Sequence, residues 1–274
     1  MKKILSLLLI MMMAAFVFTG CAKAKDTAEA AVSEAVAAAE SGESMETAAD
    51  EAVQSAASGA DSDTASAFYG AYIEAKSAAL NRLMVGLGNN PDTMMSSLSF
   101  LGVAMSDLYL LPAMYFGLGE VDVAAALAMM GAKDVKYSEQ GNQYTVTYKN
   151  ADEKAATLVG TYEKGKSLIA TGSTDGMENV FAETYRTAFG YVGQFYYVSD
   201  DGTATLYQIA VNGDDGYFGI IAGGERPAPL TGNEKLDFPM GAKEWYASNG
   251  STITGVTSEG TPVNFEYVPS ENKG

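Results

Sequence analysis

The spacing of apolar residues changes once along the chain. Between Thr64 and Met130 they recur every three or four positions, and after Gly131 every two. Tyr69, Tyr72, Ile73, Leu80, Leu83 and Leu87 predict a helix from about Thr64, capped by Asp63 and ended by Gly86, Gly88 and Asn89. Asn90-Pro91-Asp92 reads as the start of a second: a cap, a proline at the first helical position and an acid in the first turn. Its stripe is Met94, Leu98, Leu101, Met105, Leu108, Pro112 and Tyr115. Phe100, Val103, Leu111 and Met114 make the other faces apolar too. A helix apolar all round is buried in a core or a membrane, and Asp107 with its neighbouring serines argues for the core. Pro112 kinks or ends this helix. A third runs from Asp122 to Met130 and stops at Gly131.

Beyond Gly131, Tyr144, Val146 and Tyr148 alternate with polar neighbours, and further strands are expected at about 155–163, 167–173, 179–187, 189–198, 203–211 and 217–222. Turn signals such as Asp175-Gly176, Asp200-Asp201-Gly202 and Asp214-Asp215-Gly216 separate them. The strand 189–198 is apolar on both faces, so both faces should be covered. Pro227 and Pro229 mark a loop. A hairpin from Thr252–Thr254 to Val263–Tyr267 follows. With no helices between the strands, the sheet should be an antiparallel meander. The expected fold is α+β, with N-terminal apolar helices packed on a curved antiparallel meander, a half-barrel or incomplete barrel. One domain covers 64–268, with helices in 64–131 and strands in 133–268, and 269–274 form a tail.

The first 63 residues do not belong to that pattern. Residues 22–63 hold fifteen alanines and ten acids, no aromatic residue, and only Val32, Val36, Met45 and Val53 as larger apolar side chains. Such a segment cannot bury enough surface to offset its ordering entropy, and it reads as a spacer. Ahead of it, Lys2 and Lys3 precede an uncharged apolar run from Ile4 to Phe18, too short for a permanent span. Small Thr19 and Gly20 then lead to Cys21, the single cysteine of the chain. This order, with Phe18-Thr19-Gly20-Cys21 as the lipobox, resembles a bacterial lipoprotein signal peptide. The family more often has an aliphatic residue where this chain has Phe18. The resemblance covers residues 1–21. It implies that a diacylglyceryl group joins the Cys21 sulfur, that cleavage after Gly20 removes residues 1–20, and that residues 21–63 are a lipidated cysteine followed by a spacer. It also implies a lipid-anchored protein on the extracytoplasmic face of the cell membrane.

Composition narrows the chemistry. The chain has 274 residues, no histidine and one cysteine, so an intrachain disulfide, a serine–histidine triad and histidine-ligated metal are excluded within it. The net charge of −17 repels nucleic acid. The two Asp-Asp-Gly stretches read as hairpin turns rather than calcium loops. No cofactor or metal is expected, and no catalytic residue stands out. Two non-catalytic roles remain beside a carboxylate-based hydrolase. One is a structural or interaction role for an envelope protein, its protein partner undefined. The other is a carrier of a lipid or other apolar small molecule held between helices and sheet. Seven of the fourteen methionines lie between Met84 and Met130, and Met94, Met105 and Phe195 are the expected lining of such a pocket.

Overall fold

The structure is a computed structural model that describes residues 64–128 and 130–267. The expected signal segment 1–20, Cys21 with the expected spacer to residue 63, and the expected tail 269–274 lie outside the described residues.

Helix α1 spans Ala65–Asn89. Its cap is Thr64, not Asp63: the Thr64 side chain accepts from the Ala67 N–H at 3.2 Å. Gly86 and Gly88 do not end the helix but lie inside it. A Cβ on Gly86 would come within 2.0 Å of Ile253 Cδ1, so the glycine marks a close approach. The expected second helix is interrupted. Asn90 Oδ1 accepts from the Asp92 N–H, and Thr93 Oγ1 donates to the Leu87 carbonyl at the end of α1. These side-chain bonds turn the chain before helix can propagate. A 3₁₀ turn follows at Ser96–Leu98, then α2 at Ser99–Tyr109, then a second 3₁₀ turn at Leu111–Tyr115. The faces of α2 also differ from expectation. Phe100, Val103, Ser106 and Asp107 are buried, whereas Leu101 is 41% exposed. Helix α3 is Glu120–Ala128. Among the described residues, no helix is long and apolar enough to cross a membrane.

Eleven antiparallel strands make one sheet in strict sequence order, open at both ends. They are β1 Lys133–Gln140, β2 Gln143–Lys149, β3 Ala155–Glu163, β4 Ser167–Thr174, β5 Met177–Arg186, β6 Tyr191–Val198, β7 Ala204–Asn212, β8 Asp215–Ala222, β9 Glu244–Asn249, β10 Thr252–Val256 and β11 Pro262–Glu266. Strands β1 and β9 have no counterpart in the period-two reading. β1 is mostly exposed, so it lacks an apolar alternation. β9 is a six-residue strand that follows a long loop. The turn between β7 and β8 is Gly213-Asp214, so Asp215 and Gly216 belong to the strand.

The helices lie on one face. Going along α1, Phe68 meets Tyr162 of β3 and Tyr191 of β6. Tyr72 sits over Gly193 of β6, Ala79 over Gly216 of β8, and Gly86 against Ile253 of β10. Arg82 donates to Asp215 Oδ1 at 2.8 Å. Phe116, just past the second 3₁₀ turn, stacks on Tyr144 of β2 at 5.0 Å. The opposite face is covered at its centre by the loop between β8 and β9. There Gln194 donates to Glu183 and to the Ala228 carbonyl, and the Leu230 N–H donates to Glu183. Cover on both sides is why β6 buries four consecutive residues, Val192 to Phe195.

Candidate functional site

Two features on the helix-bearing face carry unusual side chains. The first is buried under α1. Lys76 pairs with Asp107 of α2, and their side chains are 2% and 12% exposed. Tyr69 and Tyr72 flank the pair, and the space beside it is about 10 Å³, room for one water at most. Burial raises the Asp107 carboxyl above its ordinary value, and Lys76 opposes that rise. This cluster ties α1 to α2 and offers a substrate no room.

The second feature is a cleft of about 250 Å³ between α2 and strands β6 and β7. Three residues of α2 border it: Gly102, Met105 and Tyr109, spaced three and four apart on one side of the helix. The sheet supplies Phe195 and Tyr197 from β6, which share a face because they are two apart. Antiparallel register sets Tyr207 of β7 opposite Phe195 and Thr205 opposite Tyr197. The β6–β7 turn closes one end with Ser199 and Thr203. Gly102 lets the Tyr207 hydroxyl approach α2 closely, since a Cβ there would lie 1.9 Å from it.

Four rings wall the cleft. Tyr109 lies 4.4 Å from Tyr197 and 6.0 Å from Phe195, and Phe195 lies 6.3 Å from Tyr207 at 18°. The lining includes no carboxylate, lysine or arginine. Nearby acids bear on it from outside. Burial, a hydrogen bond to Tyr109, and the charges of Asp200 and Asp201 hold the Tyr197 phenol well above its ordinary value. Burial, Tyr109 and Glu244 raise Tyr207. Both rings are therefore neutral at physiological pH. Asp201 itself is held down to about 2 by hydrogen bonds from Ser199 and Thr203. Its neighbour Asp200 pairs with Lys154 at 2.7 Å. These bonds make Asp200-Asp201-Gly202 a braced hairpin turn.

Of the three residues expected to line a pocket, Met105 and Phe195 border the cleft, while Met94 lies before α2 and is 53% exposed. Tyr109, Tyr197, Tyr207 and Gly102 were not singled out by the sequence reading. Pairing β6 with β7 across the Gly202 turn would have found Tyr207, but no periodicity marks Gly102. The arrangement offers rings, a thioether and hydroxyls to a bound molecule. Among the described residues, no group of three or more acids or cysteines is placed to hold a metal ion. Two further acids are buried: Glu183 is occupied by Gln194 and the Leu230 N–H on the far side of the sheet, and Glu244 accepts from the Tyr246 hydroxyl. No family model, curated protein or solved structure matches the chain.

Proposed function

We propose that this is an exported, lipid-anchored protein of the cell envelope that works by binding rather than catalysis. The anchoring rests on the order of Lys2-Lys3, the apolar run, Gly20 and Cys21, followed by a spacer without core-forming residues. The binding role rests on one observation: the aromatic cleft is open, walled by rings and hydroxyls, and lined by no carboxylate, lysine or arginine. At about 250 Å³ it is at the small end for a ligand site and suits a compact molecule rather than an acyl chain. The space beneath α1 is filled by Phe68, Tyr72, Leu83 and their neighbours, so the carrier reading places its ligand at the cleft margin and not under the helix.

The sheet, in this reading, wraps α1 as an incomplete barrel. From Phe68 to Gly86 the helix advances about 27 Å, whereas the seven strand steps from β3 to β10 span about 34 Å if flat. Contacts at both ends of the helix favour a concave sheet.

A mass spectrum of the intact full chain, purified from its own membrane under native conditions, tests both parts. The expected mass lacks residues 1–20 and carries a diacylglyceryl adduct that Cys21→Ala abolishes. A small molecule should be retained by the wild-type chain and lost from Tyr109→Ala. An unlipidated chain overturns the anchor, and a chain that keeps no molecule, or keeps one regardless of Tyr109, overturns the binding role.

A further inference from the structure

The ligand class can be read from the walls of the cleft, granted that the cleft is a binding site. Its surfaces are the faces and edges of four aromatic rings, a thioether from Met105 and several hydroxyl oxygens. No cationic side chain lines it. Lys154, from the β2–β3 connection, reaches the β6–β7 turn and is engaged there by Asp200. The ionised groups that reach the rings are acids. Asp200 and Asp201 act on Tyr197, and Glu244 acts on Tyr207. Asp201 is fixed at the rim through Ser199 and Thr203, both of which line the cleft.

Such a site repels anions and attracts positive charge. A small hydrated metal ion gains little from it, because rings and a thioether replace water poorly. An ammonium group carrying methyl substituents fits better. Its charge is diffuse and weakly hydrated, its methyl groups pack on ring faces, and the ring quadrupoles stabilise it. The net charge of −17 adds long-range attraction. We propose that the cleft binds a small organic cation, with a quaternary or fully methylated ammonium group seated among Tyr109, Phe195, Tyr197 and Tyr207.

Choline and its uncharged carbon isostere, 3,3-dimethylbutan-1-ol, separate charge from shape. Binding of each to the full chain, held in a maltoside detergent that carries no ammonium group, is measured by calorimetry. Saturable choline binding is expected, with the isostere about tenfold or more weaker and salt weakening choline alone. Tyr197→Leu should weaken choline about tenfold. Tyr109→Leu, at an exposed position, should do the same if Tyr197→Leu fails to fold, as judged by circular dichroism. Phosphocholine distinguishes sources: affinity equal to choline assigns the group to a lipid head group, and weaker affinity assigns it to a free solute, either result sustaining a quaternary ammonium. Equal binding of choline and the isostere overturns the cation and leaves a small-ligand cleft standing. Absence of saturable choline binding also overturns it, while the molecule retained in the native mass spectrum judges the binding role separately.

Discussion

Tyr69 is 2% exposed, and its hydroxyl has no hydrogen-bond partner among the described residues. A buried unsatisfied hydroxyl costs about 1–3 kcal/mol. Tyr69→Phe should therefore stabilise the fold at neutral pH by about 1 kcal/mol, read from the urea midpoint. The same residue sets an alkaline limit. Burial first, then the Asp107 charge and Tyr72, hold the Tyr69 phenol well above 10.0. The unfolded chain loses this proton near pH 10 and the folded chain keeps it. The stabilisation is thus complete below pH 10 and is lost as pH rises beyond it. In the phenylalanine variant the fall of the urea midpoint above pH 10 should be shallower by about one proton; an unchanged slope would disprove the assignment. The burial of Tyr69 is legible in the sequence; that of Lys76 is not, because a lysine beside an apolar stripe ordinarily reaches solvent. Nor is its partner Asp107, because the pair joins two helices across 31 positions. The cleft divides similarly. Phe195 and Tyr197 share a face by strand alternation, but their meeting with Tyr109 depends on where α2 is set down.

Strand glycines show how whole elements are placed. Gly216 lies under Ala79 of α1, where an added Cβ would come within 2.6 Å of the alanine Cβ. Gly160 lies under Phe116, whose ring carbons would be 2.2–3.0 Å away. Alanine in a strand would ordinarily gain about 0.5–1 kcal/mol over glycine. Forced contact with a backbone-attached methyl or a buried ring costs about 1–3 kcal/mol, so the clash decides the sign. Gly216→Ala and Gly160→Ala should each lower stability by about 1–2 kcal/mol in urea titration, whereas stabilisation would mean that α1 and Phe116 are not seated there. Gly160 falls inside an expected strand, whereas Gly216 reads as part of a turn, and the helical residue above each is not visible in the sequence. Most strands were legible because one of their faces is buried and the turns between them carry Gly with Asp or Asn. β1 and β9 were not: one buries little, and the other is held by its neighbours rather than by its own pattern. The break before α2 was hidden for a different reason. Asn90 and Pro91 suit a helix start, and only the bonds of Asn90 to Asp92 and of Thr93 to Leu87 show that they make a turn.

For the whole molecule, an unbroken strand order makes every strand pairing local in sequence except β8 with β9, which a long loop separates, and local pairings form fast. Helix α1 breaks that economy. It is made before any strand, yet its partners run from β3 to β10. Most of a protein helix's stability comes from packing its apolar face, so α1 has little to hold it until its seat exists. The first of the described elements to be synthesised thus completes its seat last, and a stretch containing Phe68, Tyr69, Tyr72 and Leu83 stays open to other surfaces while the hairpins assemble. Pulsed hydrogen exchange during refolding should protect the β3–β4 and β4–β5 amides before those of Tyr72 to Leu83, and the reverse order would refute this sequence of events. A chain arrested before β6 would hold finished hairpins and a greasy helix lacking most of its seat, which makes the unfinished protein, rather than the finished one, the natural client of a chaperone.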